Sequence, residues 1–398
     1  MRKGIMDIRG VLVCSGIGLT AAGCGDPKPV APAVASRVVS EAESDAAARD
    51  APGITAMTWN VYLGADIGRV LQARTADEAV VLATEEWGHV RATNFPARAG
   101  ALARAIAARR PQVVGLEELA LYRTADDVFE PATRVTYDFL QLVIDSLHAQ
   151  GLDYTAAAVD RTSDLQVAVI SGADAAGHPI LAGLRWTDGD AVLVRTDVPY
   201  TEPRSGVYAA SQLVTIGGVT SAVSQGWSSV DAAVRGQVYR FVVTHLAGQE
   251  VPDLQLAQAR ELLALLSTET RPMIVVGDFN SDAYGIDPTR VTPTYEMMLA
   301  GGYRDSWIEP GREALGLTCC QQADLVSARS TFNQRIDFIF TRNFPPGTVP
   351  VRREVLGDRP GDRTAWGLWP SDHAGVAATF LTPTDAGRRV GERRDEGE

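Results

Sequence analysis

A chain of 398 residues can bury a large core, in one big domain or two ordinary ones, and 45% hydrophobic with 22% charged residues is the composition of a globular protein. A formal charge of −12 argues against an electrostatic grip on long nucleic acid, which needs a basic face, although a basic cleft inside an acidic protein stays compatible with it. Lysine occurs only at Lys3 and Lys28, so a phosphate contact in the folded part would be an arginine fork.

The chain opens with the basic residues Arg2, Lys3 and Arg9, then an apolar segment over 11–22 that is too short for a permanent membrane span. Ala21-Ala22-Gly23-Cys24 follows. It resembles a bacterial lipoprotein signal in which Cys24 becomes the lipidated first residue, although Ala21 stands where Leu is usual. Plain secretion with cleavage near Ala22 is the alternative. The expected organisation is a signal over 1–23, a tether over 24–53 rich in Ala, Pro, Ser, Val and Asp, one domain over 54–383, and a charged tail over 384–398. The expected location is outside the cytoplasm, membrane-anchored or secreted, as a monomer.

In chain order, 55–61 reads as a strand. Residues 97–110 read as a helix with Leu102 and Ile106 on one face, stopped by Pro111, and 113–116 as the next strand. An amphipathic helix is expected over 137–147. Strand-type runs follow at 166–170, 191–194, 212–216 and 239–244. Leu256, Ala259, Leu263 and Leu266 line one helical face, Pro272 follows, and 273–276, 336–340 and 376–381 are further strands. Many strands and few helices suggest an α+β domain of sheets packed face to face with helices outside. The stretch 121–235 is long and points to no substrate. Cys319 and Cys320 lack the spacing of a zinc site, leaving a vicinal disulfide or two packed thiols as the readings.

Polar groups recur at the strand ends: Thr58-Trp59-Asn60, Leu116-Glu117-Glu118, Thr244-His245-Leu246, Gly277-Asp278-Phe279-Asn280, Arg335-Ile336-Asp337 and Ser371-Asp372-His373. Singly, each is as compatible with a turn or a cap as with a site. Together, Asn, Glu and Asp oxygens suit Mg²⁺ or Mn²⁺ rather than zinc, and two histidines with further carboxylates suit proton transfer at a phosphoester.

This ordered series resembles the endonuclease/exonuclease/phosphatase superfamily, which includes pancreatic-type deoxyribonucleases, abasic-site endonucleases, bacterial sphingomyelinases and inositol polyphosphate 5-phosphatases. All six motifs fall in family order over 55–381. The resemblance implies a four-layer α/β/β/α sandwich of two mixed, mainly antiparallel sheets. It implies that Asn60, Glu118 and Asp372 bind the metal, with Glu118 rather than Glu117 as the ligand. It further implies that Asp278 orients or deprotonates the attacking water and that Asn280 contacts the phosphate. His373, held by Asp337, contacts a phosphoryl oxygen, and His245 serves the leaving group. A histidine at 245, where abasic-site endonucleases typically use tyrosine, moves the likeness toward deoxyribonucleases and sphingomyelinases. Asp190 and Arg195, flanking the 191–194 run, are candidate substrate contacts, with a turn role the alternative for Asp190; Asp66 is either at the cleft mouth or a loop cap. His89, His148 and His178 match no motif and read as structural or surface residues.

The expected activity is metal-dependent hydrolysis of a phosphoester, most readily a diester, by in-line attack of water. Nucleases of extracellular DNA or RNA and sphingomyelinase-type phospholipases are both open. The rival is a binding lipoprotein that kept the fold and lost catalysis.

Overall fold

A computed structural model describes residues 53–216, 219–285, 291–307 and 315–381. The expected signal segment, Cys24, nearly all of the tether, and the tail over 384–398 lie outside the described residues. The first half runs β1 (Ile54–Asn60), α1 (Ile67–Leu71), α2 (Ala76–Ala92), α3 (Phe95–Arg109), β2 (Val113–Glu117), β3 (Leu121–Ala125), β4 (Arg134–Asp138), α4 (Phe139–Ala149) and β5 (Tyr154–Val159). It continues with β6 (Asp164–Ala173), β7 (Pro179–Thr187), β8 (Ala191–Arg195), β9 (Tyr200–Val207), β10 (Gln212–Ile216) and β11 (Val219–Val223). The second half holds β12 (Gly226–Val234), β13 (Gln237–His245), α5 (Pro252–Leu265), β14 (Met273–Asp278), α6 (Thr294–Ala300), β15 (Arg304–Asp305), β16 (Asp337–Arg342), β17 (Val349–Leu356) and β18 (Gly375–Leu381).

Two six-stranded sheets form the centre, in the orders β17-β18-β1-β2-β8-β5 and β15-β16-β14-β13-β12-β9. Each contains one parallel pair, β1 with β2 and β13 with β14, and is otherwise antiparallel. A parallel pair needs a crossover: α1 to α3 provide it in the first sheet and α5 in the second.

Side chains alternate with period two, and both faces of each sheet are buried. Ile54, Ala56, Val113, Val192, Phe241, Val243, Ile274, Val276 and Ile339 meet between the sheets. Met57, Trp59, Val114, Leu116 and Leu193 face the other way, against Trp87, Leu102, Ile106 and Phe139 of α2, α3 and α4. Val242, Val275, Phe338 and Phe340 pack against Ala259, Leu262 and Met298 of α5 and α6. Helix, sheet, sheet and helix are therefore four stacked layers, as expected. Position 115 is on the inner face and is glycine there, since a Cβ would come within 2.6 Å of Val276 Cγ2 and 2.7 Å of Val243 Cγ2.

Helix α3 begins at the cap Asn94, whose side chain accepts from Ala97 N–H, and ends at Arg110 ahead of Pro111. Helix α4 starts two residues later than expected, because residues 137 and 138 belong to β4. Two elements differ more. Helix α2 is absent from the expected elements: its buried positions are Ala79, Ala83, Glu86, Trp87 and Val90, so two alanines and an acid interrupt its apolar stripe. The stretch 121–235 contributes a separate sheet, β4-β3-β7-β6, whose Leu165, Val167, Leu184 and Trp186 pack near Val70 and Trp87, and a hairpin, β10-β11.

Candidate active site

At one end of the sandwich the inward-facing apolar positions give way to polar ones. Along β1 the inner face reads Ile54, Ala56, Thr58, Asn60; along β14 it reads Ile274, Val276, Asp278. The ladder aligns these ends. His245 of β13 pairs with Asp278, and Asp278 pairs with Asp337 of β16, so three ionisable residues form one row across three strands. Asn60 pairs with Glu117 in the facing sheet.

Asp278 is the hub. Its Oδ1 accepts from Asn280 N–H at 2.8 Å, fixing the turn after β14. Its Oδ2 lies 3.1 Å from Asn60 Nδ2, 3.6 Å from His245 Nε2 and 3.8 Å from His373 Nε2. Asn280, in the left-handed region at φ 49°, brings its Nδ2 to 3.0 Å from Leu246 O and 3.2 Å from His245 Nε2. His373 Nδ1 donates to Asp337 Oδ2 at 3.0 Å.

Glu117 and Glu118 diverge at the end of β2. Glu117 is buried and accepts from Thr58 Oγ1 at 2.6 Å. Glu118 has φ 59°, which turns its half-buried carboxylate toward Asn60: Oε1 accepts from Asn60 Nδ2 at 2.9 Å and Oε2 from Leu63 N–H at 2.7 Å. Ser371 couples the end of β1 to the last motif. Its Oγ donates to Asn60 O at 2.6 Å and accepts from His373 N–H at 3.1 Å. Trp59 Nε1 donates to His373 O at 3.0 Å, and Gln321 N–H donates to Asp372 O at 2.8 Å.

Burial raises the Glu117 carboxyl well above its ordinary range, pushes Asp337 up to about 6 despite the opposing pull of His373, and pushes Asp372 up to about 7. Burial pulls the His373 imidazole down, but the charges of Asp337, Asp278 and Asp372 outweigh it and hold the ring well above its usual value.

The donor set fits a hard divalent cation. Oxygens dominate, from Glu118, Asp278, Asp337 and Asp372, and the Asn60 amide already contacts two of these carboxylates. A half-turn about χ2 would present its carbonyl oxygen instead of its N–H. One trio of donor atoms, from Asp278, Asp337 and His373, lies within 4.8 Å of one another. Within that trio His373 is ion-paired with Asp337, and the Asn60 amide links Asp278 to the Glu118 carboxylate beside it.

Asp190 lies on the inner face at the same end and is buried, its backbone N–H donating to Asp160 Oδ1 at 2.7 Å. Arg195 does not join the cluster. It ends β8 at the opposite edge, paired with Asp197 at 2.6 Å and donating to Arg110 O. β8 runs antiparallel to β2 and so carries Arg195 away from the end that holds Asp278. Asp66 caps α1, its side chain accepting from Arg69 N–H. His89, His148 and His178 are surface residues paired with Glu86, Asp153 and Asp174.

Three contributors were missed. Arg98 is fully buried and donates to Thr93 O at 2.9 Å, Val61 O at 2.6 Å, Tyr62 O at 2.9 Å and Pro370 O at 3.0 Å, clamping the loop after Asn60 to the loop before Ser371. Thr318 Oγ1 accepts from Asp337 N–H at 3.2 Å. Asp160 directly follows β5, and that placement, shared with the other strand-end acids, was the available signal.

A model of the Endonuclease/Exonuclease/phosphatase family matches residues 57–373. No curated protein matches the chain. Similar solved structures include an endonuclease/exonuclease/phosphatase family protein from Leptotrichia buccalis, 15% identical, covering 82% of this chain and 99% of that one, with a TM-score of 0.47. A mannosyl-6-phosphatase from Bacteroides thetaiotaomicron is 18% identical over 82% of this chain and 99% of that one, with a TM-score of 0.47. TDP2 from D. rerio, complexed with a single-strand DNA product, is 18% identical over 83% of this chain and 99% of that one, with a TM-score of 0.46. Identities this low carry no information on substrate.

Proposed function

The chain belongs to the endonuclease/exonuclease/phosphatase family of metal-dependent phosphoester hydrolases, and on that premise we propose that it hydrolyses phosphodiesters by in-line attack of water, outside the cytoplasm. The observation that carries the reaction is the row His245–Asp278–Asp337, completed by His373. Asn60, Glu118 and Asp372 would hold Mg²⁺ or Mn²⁺, which when bound neutralises charge on the non-bridging oxygens.

The remaining work falls to this chain's own side chains. Asp278, fixed through both oxygens, takes the proton of the attacking water. His373, kept charged by Asp337, donates a hydrogen bond to a phosphoryl oxygen and stabilises the developing charge. Asn280 adds a neutral donor on the same side. His245, half-buried at the cleft, serves the leaving oxygen.

The extracytoplasmic reading rests on the N-terminal pattern ending at Cys24 and on the Cys319–Cys320 disulfide, which suits an oxidising compartment. Nucleic acid and lipid head groups are the two substrate classes. A panel of plasmid DNA, RNA, sphingomyelin, inositol phosphates and a chromogenic diester, assayed in Mg²⁺, separates them. Hydrolysis of none of these would overturn the proposal.

A further inference from the structure

We propose, resting on the hydrolase reading, that the hairpin β10–β11 walls off the leaving-group side of the cleft, so that this chain accepts small diesters and polymer ends and excludes diesters in the interior of a polymer. A two-stranded hairpin is marginal in water by itself, and among the described residues β10 and β11 pair only with each other. Packing must therefore hold the hairpin in place. Leu213 is 72% exposed and Val214 7%, so one face of the ribbon is covered. β10 packs on α1, the helix that follows the loop after Asn60.

The base of the hairpin stands beside His245. Trp227, near the start of β12, pairs with Thr244, so the hairpin leaves the second sheet at the level of the site. Tyr208 N–H donates to Gln225 O at 3.0 Å, and the Tyr208 hydroxyl lies 2.7 Å from Thr244 Oγ1, one residue before His245. Gln258 of α5 donates to Ala210 O at 3.1 Å and to Gln225 Oε1 at 2.7 Å, fastening both ends of the hairpin to the second sheet's helix. Its exit is also tied to the first sheet's side: Ser163, just after β5, accepts from Ser224 N–H and donates to Ser224 O through Oγ, both at 3.0 Å.

The hairpin thus bridges the two sheets, from the flank of His245 to α1 and Ser163. In an in-line displacement the leaving oxygen departs opposite the attacking water. With His245 serving that oxygen, whatever is attached to it extends toward the bridge. A nitrophenol, a head group or a terminal nucleotide ends before it. A continuous strand would have to run through the hairpin.

Two variants test this. Tyr208 and Gln225 are hydrogen-bonded neighbours, so replacing 211–223 by a short Gly-Ser linker joins points that are already close. Val214→Asp puts a charge on the covered face and lifts the hairpin without shortening the chain. Each is compared with the wild type in Mg²⁺ on a chromogenic diester, a linear single-stranded oligonucleotide and the same oligonucleotide closed into a circle. The wild type should cleave the circle at least about tenfold more slowly than the linear form. Both variants should speed circle cleavage at least about tenfold, with chromogenic turnover, which also reports folding, within about threefold of the wild type. A wild type that cleaves circle and linear form at equal rates overturns the proposal. So does circle cleavage unmoved in the variants while chromogenic turnover persists. A wild type that leaves the chromogenic diester intact overturns the hydrolase reading and this one with it.

Discussion

Asp278 Oδ2 accepts a hydrogen bond from Asn60 Nδ2 at 3.1 Å, across the gap between the two central sheets. The residues are 218 positions apart in sequence, and their contact exists only because the sheets pack face to face. The chemistry is therefore assembled by the sandwich itself rather than carried on a local motif, and the predictions follow from that dependence.

Asp278→Asn keeps the shape of the hub and removes its charge. The rate of diester hydrolysis should fall by about 10²- to 10⁴-fold, the range for a positioned proton acceptor. Circular dichroism and the melting temperature should stay near those of the wild type, separating chemistry from folding.

Arg98→Met leaves four buried carbonyls without their donor and frees the two loops that frame Asn60 and Asp372. Stability should fall by about 4 kcal/mol, and activity with it. Arg98→Lys should recover only part, since an ammonium cannot reproduce the fork. Urea unfolding measures both.

Gly115→Val places methyl groups where Val243 and Val276 already stand. The sheets must move apart at the foot of the site, at a cost of about 1–3 kcal/mol. A variant of unchanged stability would show that the sheets do not approach this closely.

The far end of the second sheet should affect stability without touching catalysis. Arg271 holds Glu269 by a hydrogen bond, lowering that carboxylate to about 2, and also pairs with Asp231. A depressed carboxylate stabilises above its unfolded value, and the contribution is lost as pH falls toward about 2. The Glu269 side chain is partly exposed, so Glu269→Gln should cost at most about 1 kcal/mol at neutral pH. The difference from wild type should vanish in acid, with hydrolysis unchanged.

Much of this arrangement is legible in the sequence because strands with both faces buried announce themselves as apolar runs, and the polar residue ending each run is conspicuous. The 273–276 run ends in Asp278, and 239–244 in His245, for this reason. What stays hidden has physical causes. Helix α2 buries Ala79, Ala83 and Glu86 along with Trp87 and Val90, a stripe that two alanines and an acid interrupt. Arg98 sits within an alanine-rich helix, and nothing local marks it as a clamp on a loop 272 positions further along the chain. Arg195 looked close to the site in sequence, but strand direction placed it at the far end of β8. The sheet built from 121–187 is only half-buried, so its alternation of polar and apolar residues is weak.

In the proposed reaction an oxygen-ligated metal and Asp278 act together on a phosphodiester. Its most direct test measures turnover of a chromogenic diester in Mg²⁺ by wild type and Asp278→Asn, each with and without excess chelator. The wild type should show activity that the chelator abolishes and Mg²⁺ restores, with little turnover in the variant under any condition. Chelator-resistant turnover, or a variant as active as the wild type, would contradict it.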